Sequence, residues 1–308
     1  MPVSTATTPH SVAARKAFLG GLAIAVCGAV LFSAKAIVAK LMYRYHVDAV
    51  TVIGFRMMFS GPIFAAVAFW RMRIEAPLSN PDRLRLVVLG VIGYYLSSFL
   101  DFLGLQYISA GLERLILFLT PSFVLLISVL FYKKKIGAFE WSALVISYLG
   151  TVLVFLHDVQ IGGENVGLGS ALVLGSAISY ALYLLFSGEL VRRVGSMRLV
   201  AYAMCVSSVC CVAQFFLLRP VAALIQPAPV YWYSIVNAIF CTVLPVYMTM
   251  VAVERIGATS ASQAGMVGPV STLFLAAIIL GEPITGVQLA GTALVLFGIY
   301  LLSRRRAQ

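Results

Sequence analysis

The chain has 308 residues, 61% of them hydrophobic and 11% charged, where soluble domains run at roughly 45–50% and ~25%. With a mean hydropathy of +1.00 it reads as an integral membrane protein, which excludes a soluble enzyme or binding domain. The net charge of +11 does not point to nucleic acid, because the basic residues lie between apolar runs, the pattern that orients a chain in a bilayer.

Residues 1–16 are polar and end in Arg15-Lys16, a short cytoplasmic N-terminal tail. The next apolar run, 17–40, is too long for the ~7–15-residue core of a signal peptide and remains as the first span. A membrane helix needs roughly 20 apolar residues. On that basis ten spans are expected, at about 17–40, 50–70, 84–106, 113–132, 139–156, 166–187, 199–218, 230–253, 259–280 and 285–303, followed by a basic C-terminus at 304–308. With the N-terminus inside, 16 of the 22 lysines and arginines fall in inner segments and four in outer ones, leaving Lys35 and Arg56 within spans. This predicts a multi-pass protein of a bacterial-type inner (plasma) membrane with both termini cytoplasmic. Its partners are the lipid bilayer and a small-molecule substrate, not nucleic acid.

Span three and the start of span four hold the most informative stretch. Tyr94, Ser97, Ser98 and Asp101 fall at i, i+3, i+4 and i+7, one face of a helix. Glu113 and Arg114 then open span four. At 1.5 Å per residue, Lys35, Arg56, Asp101, Glu113 and Arg114 all lie within roughly 10 Å of the outer boundary. Burying each alone would be costly, so one mutually paired cluster is expected, facing a partner or a watery cavity. Lys35 suits a substrate or gate contact, a structural ion pair, or a side chain snorkelling to the headgroups. Asp101 is expected to face the cavity, and either it or Glu113 offers a carboxylate for proton coupling. Glu113 and Arg114 read equally as gate charges and as interfacial anchors. Pro121 and Pro269 free helix carbonyls and are expected to bend the spans that shape the cavity. Span six carries a polar stripe of Ser176, Ser179, Tyr180, Tyr183 and Ser187, and span nine offers Ser260, Gln263 and Ser271. These faces, with Phe32 and Asn237, are the expected lining. Tyr94, Tyr180 and Tyr183 suit either stacking on a substrate or packing.

The halves repeat. A shift of 148 places Ile108, Ala110, Pro121, Leu125, Ile136, Gly150 and Leu153 on Ile256, Ala258, Pro269, Leu273, Ile284, Gly298 and Leu301 without a gap, and the span boundaries register too. Five spans is an odd number, so the second repeat (166–303) is inverted relative to the first (17–156). The fold class is therefore all-α, ten transmembrane helices in two inverted five-helix repeats, the architecture of secondary transporters with a central site. The five cysteines lie in apolar runs with no histidine at metal-ligand spacing, so neither a metal nor a cofactor is expected.

Several positions also resemble a known family: Pro269, Leu280-Gly281-Glu282, Ile284-Thr285, Gln288, Gly291 and Gly298 in the last two spans, and Lys35, Arg56, Ile108 to Ala110 and Pro121 in the first half. In their order over ten spans they resemble the drug/metabolite transporter superfamily, specifically its EamA type. Lys133 to Lys135 depart from the usual Gly-Glu end of span four, and Ala143 replaces a common glycine. The resemblance implies an exporter of amino acids or related small metabolites working by alternating access, with export of cationic drugs or nucleotide-sugar exchange as alternatives. A polytopic enzyme acting on lipid-linked substrates would need paired aspartates, a His-Asp pair or a histidine cluster inside the membrane. The chain has none of these, so it is not expected to be an enzyme.

Overall fold

With no water to satisfy a backbone inside a bilayer, long apolar runs must become helices, and the structure is all-α. The computed structural model describes residues 9–133, 137–160 and 165–305. Of the features read from the sequence, residues 1–8 of the tail, Lys134, Lys135 and Ile136, and Arg306 with the two residues after it lie outside the described residues. The spans are α1 (Pro9–Tyr43), α2 (Ala49–Ile74), α3 (Asn80–Leu105), α4 (Ala110–Tyr132), α5 (Ala138–Gln160), α6 (Val166–Val194), α7 (Ser196–Leu218), α8 (Ala228–Gly257), α9 (258–280) and α10 (Gly286–Arg305). The first eight are long and apolar enough to cross a membrane, and the last two contribute shorter apolar helices.

Three boundaries differ from expectation. α1 is already helical at Pro9, the first described residue, so the second half of the expected tail is helical. α5 runs on to Gln160 and takes in His157, expected in a loop. α8 gives way to α9 directly at Gly257, whose φ of 79° and ψ of 157° turn the chain without a loop.

The packing obeys a two-fold exchange of the repeats. α2 lies along α7 and α5 along α10, each pair mapping onto itself. α1 packs on α8 and α9, and the equivalent contact of α6 on α3 and α4 is also made. The correspondence extends to single residues. A Cβ on Gly150 would lie 2.6 Å from the carbonyl of Gly291, and one on Gly298 would lie 2.7 Å from that of Ala143, the two-fold image of the same contact. Small residues are thus required there because backbones meet, which is how membrane helices gain van der Waals energy without a hydrophobic drive. The symmetry also covers one irregularity, though not the π-helical Ala276–Leu280, whose equivalent is ordinary α-helix. Val91–Leu96 in α3 and Ile239–Val243 in α8 are π-helical, and Val91 and Ile239 are 148 residues apart. Such segments are frequent at functional sites.

At the end of the bundle opposite the termini, here the far end, side chains tie the elements together. Arg219 holds Asp48 at 2.6 Å, Lys40 lies 3.2 Å from Glu282, and Arg44 donates to the carbonyl of Leu280 at 2.7 Å.

Candidate functional site: a charged cluster over a central cavity

α1 presents Phe32 and Lys35 one turn apart, α2 brings Arg56, α3 brings Asp101 and Phe102, and the start of α4 brings Glu113 and Arg114. The five charged side chains are buried. The Lys35 ammonium donates to Asp101 Oδ2 and lies 3.5 Å from Glu113 Oε1. Aromatic faces take the rest of the positive charge. The Arg56 guanidinium sits 4.6 Å from the Phe102 ring centroid, and the Arg114 guanidinium 4.9 Å from that of Phe32. Lys35 lies 5.2 Å from the Phe32 centroid and 5.4 Å from the Phe102 centroid. Each such contact is worth ~2 kcal/mol or more when desolvated. With three cations and two carboxylates the cluster carries a formal surplus of one positive charge.

Below the cluster a cavity of about 490 Å³ runs toward the end that carries the termini. Its walls are two-fold related: Phe32 and Tyr180, Arg56 and Met204, Tyr94 and Thr242, Ser98 and Val246, and Asp101 and Thr249 all line it. The positions are equivalent but the chemistry is not, because the first repeat supplies the charges and the second supplies neutral groups. Tyr94 packs edge-on against Tyr180 and Tyr183, with ring centroids at 6.2 and 5.0 Å, and Tyr180 stacks on Tyr183 at 5.6 Å. The π segment of α3 exposes the Ile92 carbonyl, which accepts from Ser179 Oγ at 2.7 Å. Ser97 and Ser176 hydroxyls meet at 3.0 Å across the same seam.

On the far side of the cluster the path is shut in layers. Tyr43 donates to the carbonyl of Phe102 at 2.7 Å, fixing the aromatic plug between Lys35 and Arg56. Beyond it a second pocket of about 330 Å³ is lined by Lys40, Tyr43, Arg44, Leu105, Gln106, Leu280 and Glu282.

Of the residues singled out from the sequence, Phe32, Lys35, Arg56, Tyr94, Ser98, Asp101, Arg114, Pro121 and Tyr180 line the cavity. Glu113 is buried behind Lys35 rather than at the wall, and Tyr183 is buried against Gly93 and the other tyrosines. α4 and α9 are each interrupted within a turn before their proline, at Leu119 for Pro121 and at Gly265–Met266 for Pro269; Pro269 itself is buried away from the wall. Gln263 is a correction: it is exposed and points away from the lining made by its neighbours Ala261 and Gly265. Ala261 and Gly265, two positions either side, face the cavity, so Gln263 lies on roughly the opposite side of the helix. Asn237 is fully buried, with both amide atoms unpartnered, and is not part of the lining. The sequence reading missed Lys40 and Glu282 as a pair, treating Lys40 only as an outer basic residue. The Gly281-Glu282 turn facing the end of α1 was the available clue.

The fold and the site together define a polytopic membrane protein of two five-span repeats enclosing a polar, charged cavity. Residues 19–156 and 167–304 each match the EamA-like transporter family, and the chain belongs to that family. It is 29% identical over 299 residues to the uncharacterized transporter YcbK of Bacillus subtilis (strain 168), covering 93% of both chains. It is 28% identical over 257 residues to an uncharacterized transporter of Archaeoglobus fulgidus, covering 83% of this chain and 89% of that one. The uncharacterized inner membrane transporter YicL of Salmonella typhimurium is 22% identical, with 94% and 97% covered. A crystal structure at 17% identity superposes with a TM-score of 0.65 over 94% of this chain and 99% of the other, which shows the shared fold.

Proposed function

We propose that this membrane transporter is a secondary exporter of amino acids or related small metabolites, working by alternating access about the two-fold axis between its repeats. The observation that carries the reading is the cavity itself. It is large enough for a small metabolite, walled by aromatic rings, and capped at one end by buried charges whose two-fold equivalents are uncharged. A structural ion cluster alone would need no cavity beneath it. The basic bias of the inner segments supports cytoplasmic termini in a bacterial-type inner membrane. On that placement the cavity reaches the cytoplasmic side and the Lys35 cluster closes the outside. Asp101 and Glu113, sharing one lysine, are the groups through which a proton would couple. The positive surplus disfavours the alternative of a cationic drug as cargo, since it would repel one entering the cavity.

Counterflow in proteoliposomes tests this, using a panel of amino acids, organic anions, organic cations and nucleotide sugars, with and without a pH gradient. At least one small metabolite should accumulate beyond protein-free liposomes. If no panel member did so, the proposal would fail.

A further inference from the structure

Resting on the transporter reading, we infer that Arg56 forms an anion subsite in the cavity wall and that the cargo carries a carboxylate on an apolar or aromatic body.

The argument starts from donors and acceptors. A guanidinium has five N–H groups and no acceptor. Arg56 is 4% exposed and lines the cavity, yet its Nε and Nη2 have no hydrogen-bond partner. Its π face is covered by Phe102, which satisfies the ring-facing side of the cation and leaves the in-plane donors free. Neither nearby carboxylate bonds Arg56 Nε or Nη2. Asp101 accepts from Lys35, and Glu113 lies 3.5 Å from the same ammonium. Lys35, the intuitive partner for an anionic cargo, is therefore occupied, and the unspent positive charge sits on arginines.

The same inventory bears on the rest of the cargo. Among the described residues that line the cavity, Asp101 is the one carboxylate; its Oδ2 accepts from Lys35 and its Oδ1 has no partner. A carboxylate reaching Arg56 would find unpaired donors in a planar fork, the geometry that donates two parallel hydrogen bonds. Opposite Arg56 the two-fold partner is Met204, and Phe32, Tyr94 and Tyr180 complete the wall. The cavity is thus polar at one side and apolar and aromatic at the other, which orients an amphiphilic anion across it.

The test uses the purified full-length chain and four probes of one shape: 3-phenylpropionate, its neutral amide, 3-phenylpropylamine and phenylalanine, with binding followed by titration calorimetry. The acid is expected to bind roughly 10- to 100-fold more tightly than the amide, the worth of a charge-assisted hydrogen bond or two, and phenylalanine more tightly than the amine. Arg56→Gln should abolish the preference for acid over amide, and Arg56→Lys should retain part of it. Equal binding of acid and amide, binding of the amine tighter than of phenylalanine, acid binding that survives Arg56→Gln, or no binding by any of the four would overturn the inference. The wild-type comparison of acid with amide stands even if the variants do not fold. Counterflow of a cation, with neither carboxylate bound nor transported, would overturn the subsite while leaving the transporter reading in place.

Discussion

Lys35 bonds Asp101, whereas their two-fold equivalents, Tyr183 and Thr249, are both uncharged. One repeat therefore holds an ion pair at a depth where its inverted copy holds none. Lys35 is the counter-ion of two buried carboxylates, so removing it strands both. Lys35→Met is expected to destabilise the protein by ~3–5 kcal/mol, the usual cost of leaving a buried charge uncompensated. Adding Asp101→Asn should recover part of that loss, while Asp101→Asn alone should lower transport much more than folded yield. Thermal unfolding in detergent and counterflow on matched reconstitutions measure the two effects. If the double variant is as unstable as the sum of the single ones, the pairing is not what stabilises the cluster.

The second prediction concerns a helix end. α4 ends at Lys133 in the left-handed region, φ 50°, and the equivalent end of α9 is Gly281 at φ 73°. The fold requires that conformation at both ends, and only the second repeat has the residue that adopts it without a Cβ penalty. Lys133→Gly should stabilise by ~0.5–1 kcal/mol after the added chain entropy of glycine is counted. That corresponds to a rise of about 1–3 °C in Tm. Gly281→Lys should act in the opposite direction, and a lower Tm for Lys133→Gly would refute the symmetry argument.

Much of the architecture was legible because a bilayer leaves the chain few options. Ten apolar runs became ten helical spans, and the rise per residue brought Lys35, Arg56, Asp101, Glu113 and Arg114 to one depth. Partner choice was not legible. Depth is set by sequence position, but whether Lys35 or Arg56 meets Asp101 depends on how α1 and α2 rotate against α3, which tertiary packing decides. The π segments carry no residue signature, since Val91–Leu96 reads as ordinary apolar helix. Gln263 was misplaced because a polar side chain in a span was read as lining, whereas the positions beside it that face the cavity, Ala261 and Gly265, carry no polar signal.

The third prediction is a pH dependence at the far end, outside the spans. Partial burial works to raise the Asp48 carboxyl, but hydrogen bonds from Arg219 and Thr51 outweigh it and hold the group below its ordinary value. A carboxylate depressed on folding contributes stability that is present above its unfolded pKa of ~3.9 and lost as pH falls through the lower folded value. Wild type should therefore exceed Arg219→Gln in Tm at pH 6, with the gap closing toward pH 3. Both groups are about a third exposed, so the gap is expected to be small. A gap that persists undiminished at pH 3 would assign it to packing by the arginine stem.

The last prediction concerns the far-end latch. Lys40 meets Glu282 at 3.2 Å and Arg44 donates to the Leu280 carbonyl, joining α1 to the α9–α10 turn across the outer pocket. The two-fold equivalents of Lys40 and Glu282 are Gly188 and Lys134, a combination that cannot form an ion pair. The latch is therefore one-sided and should bias the protein toward closure at the far end. Both partners are a little over one fifth exposed, so the pair is worth ~1 kcal/mol or less. A ligand-free equilibrium should then shift by about fivefold at most when the pair is broken. Ser98 lines the cavity beneath the plug. With the native cysteines replaced and Ser98→Cys introduced, a membrane-impermeant maleimide applied from the far side should label slowly. Glu282→Gln should speed labelling up to about fivefold, and Glu282→Lys somewhat more, through repulsion. The exchange Lys40→Glu with Glu282→Lys should restore slow labelling, because it re-forms the pair in reverse. Labelling that ignores Glu282→Lys, or that stays fast in the exchanged variant, would show that the far end is held by the Tyr43–Phe102 plug without help from the ion pair.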